Sequence, residues 1–71
     1  MINERQLKAK MIIENVTVEE VCEALSINAS TFYRWLNNSE KITVGSVEKI
    51  SRLLHLNGQE LMSIFYPNFV A

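Results

Sequence analysis

Ser30, Thr31, Tyr33, Arg34 and Asn37 lie within nine residues, 29–37, whose other bulky members are Phe32, Trp35 and Leu36. The i, i+3, i+4 spacing of Phe32, Trp35 and Leu36 puts them on one face of a helix, the core face, and leaves Ala29, Ser30, Tyr33, Arg34 and Asn37 on the opposite one. A guanidinium, hydroxyls and an amide on one helix face offer hydrogen bonds rather than a nucleophile or a proton-transfer pair. The Arg34 fork matches the O6/N7 edge of guanine, a pairing worth about 1–3 kcal/mol of discrimination in a major groove. Its alternatives are a phosphate contact or a solvated helix arginine. Ser30 and Thr31 either meet a base or phosphate or serve the backbone of the first turn. Tyr33 either packs on a thymine methyl or sugar or belongs to a protein contact. Asn37 and Asn38, just past the helix, act as phosphate donors or turn formers, and Lys41 is a candidate phosphate partner.

Such a face must be held at a fixed angle, and the preceding residues supply the means. Thr17 is a hydroxyl N-cap with Glu20 three residues on, which predicts a capping box opening a helix over residues 17–25. The N–H groups at that start, around Thr17, are also offered to a phosphate. Val21, Cys22 and Leu25 form this helix's apolar stripe. Ile27 plugs a tight turn, and Asn28 is a second good N-cap for the helix that carries Arg34. Two short helices joined by a tight turn over about 17–37, with the second one polar outside, have the layout of a helix-turn-helix.

On these residues the chain resembles the Cro/Xre type of helix-turn-helix repressor, the small phage and prophage regulators of bacteria. In that family a Thr-Gln-Glu-Glu-Leu-Ala type segment leads into a Gly-Ile-Ser turn and a Ser-Thr-Ile-x-Arg-Trp type helix. Thr17, Glu19, Glu20, Leu25, Ile27, Ser30, Thr31, Arg34 and Trp35 match that pattern, whereas Val18, Ala29 and Ser26 stand where Gln, an amide and Gly are common. The resemblance covers most of the chain. It implies an all-α, lambda-repressor-like bundle of five short helices and a DNA-binding transcriptional regulator that meets its operator as a two-fold dimer, with two recognition helices roughly 34 Å apart.

Three further helices complete the pattern. The first runs from Asn3 to about Glu14, with Leu7 and Met11 inward and Asn15 as a left-handed stop. Thr43 caps another to about His55, with Val44, Val47, Ile50, Leu53 and Leu54 as its apolar face. Asn57 opens the last, which carries Leu61, Ile64 and Phe65 and ends near Tyr66 because Pro67 disfavours helix before it. A chain of 71 residues is a single domain, 1–71, with a small core; its 48 % hydrophobic content and two glycines suit helices. A lone Cys22 and the absence of an apolar leader or a membrane-length apolar run point to the cytoplasm. The apolar end over 66–71 suggests an interface, with Phe65, Tyr66 and Phe69 as dimer or partner contacts, or else folds back on the domain.

His55 is the sole histidine and Cys22 the sole cysteine, so neither a metal set nor a Ser/His/Asp or Cys/His nucleophilic arrangement can be assembled, and no enzyme activity, cofactor or small-molecule ligand is expected. Net charge argues against strong non-specific DNA affinity. The whole chain is −1, and residues 16–46 carry Glu19, Glu20, Glu23 and Glu40 against Arg34 and Lys41, a balance of −2. Two readings of the surface therefore stand side by side: a sequence-specific repressor on double-stranded DNA, and an anti-repressor or modulator that keeps the fold but acts on another regulator protein.

Overall fold

The computed structural model describes residues 2–38 and 41–69, which fold into five helices and a short 3-10 turn. Residues 70 and 71 of the apolar end, and Glu40, lie outside the described residues. The helices are α1 (Glu4–Ile13), α2 (Val18–Leu25), α3 (Ala29–Asn37), α4 (Val44–Leu53) and α5 (Gly58–Phe65), followed by the turn Pro67–Phe69. The architecture is all-α, and the helix-turn-helix expected over 17–37 is α2, its turn and α3.

Every helix starts on a side-chain cap. Asn3, Thr17, Asn28, Thr43 and Asn57 each accept a hydrogen bond from the backbone N–H three residues on, satisfying one of the donors a helix start leaves open. Thr17 with Glu20 and Asn57 with Glu60 form complete capping boxes. The Glu60 carboxyl is held below its ordinary pKa, first by the Asn57 N–H it accepts and then by Lys10, 3.3 Å away on α1.

Helix ends repeat one device three times. Asn15, Ser26 and His55 adopt left-handed backbone, with φ of 56°, 56° and 55°. In each case two hydrogen bonds close the end in the Schellman pattern: Val16 N–H to the Met11 carbonyl and Asn15 N–H to that of Ile12; Ile27 to Cys22 and Ser26 to Glu23; Leu56 to Ser51 and His55 to Arg52. The apolar residue that follows, Val16, Ile27 or Leu56, packs against the core, and the next residue is the cap of the next helix. A β-carbon in the left-handed region costs roughly 1–2 kcal/mol, and here none of the three positions is glycine. The long-range contact between His55 Nδ1 and Glu14 Oε1, 2.7 Å, bridges two of these junctions.

The core is one cluster drawn from all five helices and Ile2. Val21 and Leu54 are wholly buried, and Leu7, Ile50 and Ile64 nearly so. Three expectations are corrected here. Val44 is 69 % exposed: as the first residue of α4 it lies about 60° around the helix from Val47, and the buried position on that side belongs to Ser51. Trp35 is only partly buried and stands at the edge of the core rather than in it. Phe65, expected among the contact residues of the apolar end, is 3 % exposed and packed in the core. Phe69 is 80 % exposed, edge-on to the half-buried Tyr66.

The Ser51 hydroxyl is buried without a hydrogen-bond partner. An unsatisfied buried polar group costs about 1–3 kcal/mol, and alanine is the better helix former. Ser51→Ala is therefore expected to raise stability by about 1 kcal/mol, measured as a higher urea midpoint at unchanged m-value. Ser26→Gly relieves the left-handed strain, and a gain of roughly 0.5–1 kcal/mol in the same assay is expected.

Candidate nucleic-acid interface

The position of α3 is set by residues 26–28. Ser26 ends α2, Ile27 turns its side chain onto the core, and Asn28 begins α3 in extended backbone. Phe32 and Leu36 then bury one face of α3 against the core. The outer face follows from that anchoring: Ala29, Ser30, Tyr33, Arg34 and Asn37 are all exposed, and Thr31 is half-buried on the flank it shares with Trp35. Ser30, Tyr33, Arg34 and Asn37 thus share one accessible surface, with Arg34 and Ser30 near its centre line and Tyr33 at one edge, whereas Ala29, about 20° around the helix from buried Leu36, is exposed only because it is the first residue of α3.

Hydrogen bonding distinguishes these side chains. Among the described residues Arg34 makes no ion pair, so its guanidinium donors are open to a ligand. Ser30 donates its hydroxyl to the Asn28 Oδ1 at 2.7 Å, and the same oxygen accepts the Thr31 N–H at 2.8 Å. Ser30 is left with acceptor capacity, suited to a base amino group rather than a phosphate oxygen. The Thr17 hydroxyl is occupied twice: it accepts from the Glu20 N–H at 3.1 Å and donates to the Glu20 carboxylate at 3.2 Å. Any contact at the start of α2 therefore falls to the backbone N–H groups of Val18 and Glu19, beyond the reach of the Thr17 hydroxyl. Tyr33 meets Phe32 edge-on at 5.8 Å between ring centres, which fixes its ring beside α3.

The end of α3 is closed by the Asn38 N–H on the Arg34 carbonyl, 2.9 Å, and Lys41 N–H returns to the Asn38 carbonyl at 3.2 Å. Asn37, Asn38 and Lys41 are exposed, and these turns keep Lys41 close to the C-terminal end of α3. The exposed acids Glu19, Glu20 and Glu23 are on α2 and none is on α3, so charge is segregated by helix: the described part of the reading surface is cationic through Arg34 and Lys41. Trp35 is the residue of this surface that sequence periodicity misassigns. Its i+3 spacing from Phe32 reads as core, yet it is only half-buried. Cys22 lies behind the surface, buried, and burial pushes its thiol pKa up. Among the described residues no cluster of metal-ligating side chains occurs, and no helix is long and apolar enough to cross a membrane.

Residues 6–65 match the family model described as the Cro/C1-type HTH DNA-binding domain. No match was found among curated proteins or among solved structures.

The double acceptance at the Asn28 Oδ1 makes Asn28 a stability residue. Asn28→Ala is expected to lower unfolding free energy by about 1 kcal/mol, whereas Arg34→Ala, on the exposed face, changes it by no more than about 0.5 kcal/mol; thermal and urea melts of both variants read the contrast.

Proposed function

The chain belongs to the Cro/C1-type HTH DNA-binding domain family, and on that premise we propose that this DNA-binding regulator is a sequence-specific repressor of the phage or prophage kind, whose α3 enters the major groove of an operator. The observation that carries the reading is the unpaired Arg34 at the middle of an exposed polar helix face whose other side is locked into the core. Arg34 reads a guanine edge, and Ser30, Thr31 and Tyr33 supply neighbouring base or sugar contacts. Asn37 in the last turn of α3, and Asn38 and Lys41 beyond its end, hold phosphates, and the N–H groups after Thr17 hold another at the start of α2. Ala29 leaves room for close approach of the backbone to the groove. A homodimer on an inverted repeat supplies two such helices, and repression follows from occupying a promoter.

The acids of α2 favour a second reading, in which the same fold binds another regulator protein as an anti-repressor. Glu19, Glu20 and Glu23 are exposed beside the reading helix, and they weaken the non-specific phosphate attraction on which DNA scanning depends.

Binding-site selection from a random duplex library at physiological salt separates the two. Enrichment of an inverted repeat is expected. Arg34→Ala should then reduce affinity for the selected site about tenfold or more, by the loss of roughly 1–3 kcal/mol, while leaving the melting curve in place. A folded protein that enriches no sequence supports the modulator reading instead.

A further inference from the structure

The first turn of α3 holds a hydroxyl whose hydrogen-bonding direction is fixed by the fold. The Asn28 side chain accepts the Thr31 N–H at 2.8 Å, and since a backbone N–H can only donate, the accepting atom is the amide oxygen and not the amide nitrogen. The Ser30 Oγ lies 2.7 Å from that same oxygen. An amide oxygen carries no hydrogen, so Ser30 is the donor and its one proton is committed there. Towards solvent Ser30 presents lone pairs alone. It is exposed, one helical turn before Arg34 on the same stripe of α3.

Base edges differ in what they give such an acceptor. In the major groove adenine and cytosine present amino hydrogens, on N6 and N4, whereas guanine and thymine present acceptors there, besides the thymine methyl. To meet O6 or N7 of guanine, or O4 of thymine, the Ser30 hydroxyl must surrender its bond to Asn28 and so exchanges one hydrogen bond for another. Accepting from an amino group keeps both bonds, and a hydroxyl that is already donating is the stronger acceptor.

We infer that Asn28, acting through Ser30, makes α3 select an amino-bearing base, adenine or cytosine, on the strand that Ser30 faces. The inference rests on the operator reading given above and adds to it a base class and a positioning residue. One turn of helix advances about 5.4 Å and successive base pairs about 3.4 Å, so the selected base lies within about two steps of the guanine that Arg34 reads. Asn28 itself need touch no base. It sets which way the Ser30 proton points.

Binding-site selection with the parent and three variants tests this. Ser30→Ala should lose the preference at one position within about two steps of the guanine, which identifies the base that Ser30 meets, and keep the guanine. The parent is expected to enrich adenine or cytosine at that position, and guanine or thymine placed there should weaken binding about fivefold or more. Asn28→Gly, which leaves a serviceable N-cap, frees the Ser30 proton and should admit guanine and thymine there, again with the guanine of Arg34 kept. Asn28→Asp retains an acceptor oxygen and should retain the preference at uniformly lower affinity, because phosphate repels its charge. A second measurement needs no DNA: by NMR the Ser30 hydroxyl proton should exchange with water more slowly in the parent than in Asn28→Gly. Guanine or thymine at the identified position in the parent, a preference unaltered by Ser30→Ala or Asn28→Gly, or hydroxyl exchange indifferent to Asn28 would overturn the inference and leave the operator reading standing. Enrichment of no duplex at all by the folded protein would overturn both.

Discussion

The three-residue junction is the constraint on which this domain rests. At 15–17, 26–28 and 55–57 the chain places a left-handed residue, an apolar residue and a capping residue in succession. The first ends one helix with two backbone hydrogen bonds, the second pins the corner to the core, and the third starts the next helix. A chain of this length buries too few side chains to fix five helix directions by packing alone. The junctions remove most of that freedom locally, because both the exit and the entry of each turn are hydrogen-bonded. The geometry of α3 against α2 is one instance of a rule used three times, and what distinguishes it is the polar sequence that the rule happens to present.

Packing then selects which side of each helix is hidden. α2 and α3 are strongly two-sided: Val21 and Cys22 on one, Phe32 and Leu36 on the other, face the cluster around Leu54 and Ile50. α1 is less clearly divided, since Leu7 and Met11 are buried while Ile12 and Ile13 lie open. The same core therefore leaves two different surfaces, one polar on α3 and one apolar on α1. Opposing charge is likewise partitioned. Lys10, Glu14, His55 and Glu60 satisfy one another where α1 meets the start of α5, and the unpaired Arg34 faces outward.

What was legible in the sequence was local. Each cap is a hydroxyl or amide at the right offset before an apolar repeat, and each start was recoverable from that signal. The left-handed stop at Asn15 was legible because asparagine tolerates it; the one at His55 carries no such mark. Ser51 was illegible because burial of a serine depends on which neighbour the helix meets, and Val44 because an N-terminal helix position looks apolar-periodic while projecting past the core. Trp35 is less covered, and Phe65 more so than a contact residue would be, for a related reason: spacing gives the angle around a helix but not how far the neighbouring elements extend over it. The polar face of α3 was predicted as a set, whereas the commitment of the Thr17 and Ser30 hydroxyls to neighbouring groups required coordinates.

Cys22 has a consequence of a different kind. Its carbonyl accepts the Ile27 N–H that closes the turn before α3, and its thiol is buried behind that turn with a raised pKa. Alkylation by a thiol reagent requires the sulfur to be both exposed and deprotonated, so it must wait for α2 to lift from its neighbours. Since this is the chain's one sulfhydryl, its labelling rate is a native clock for breathing of the helix-turn-helix, readable by mass without adding a probe.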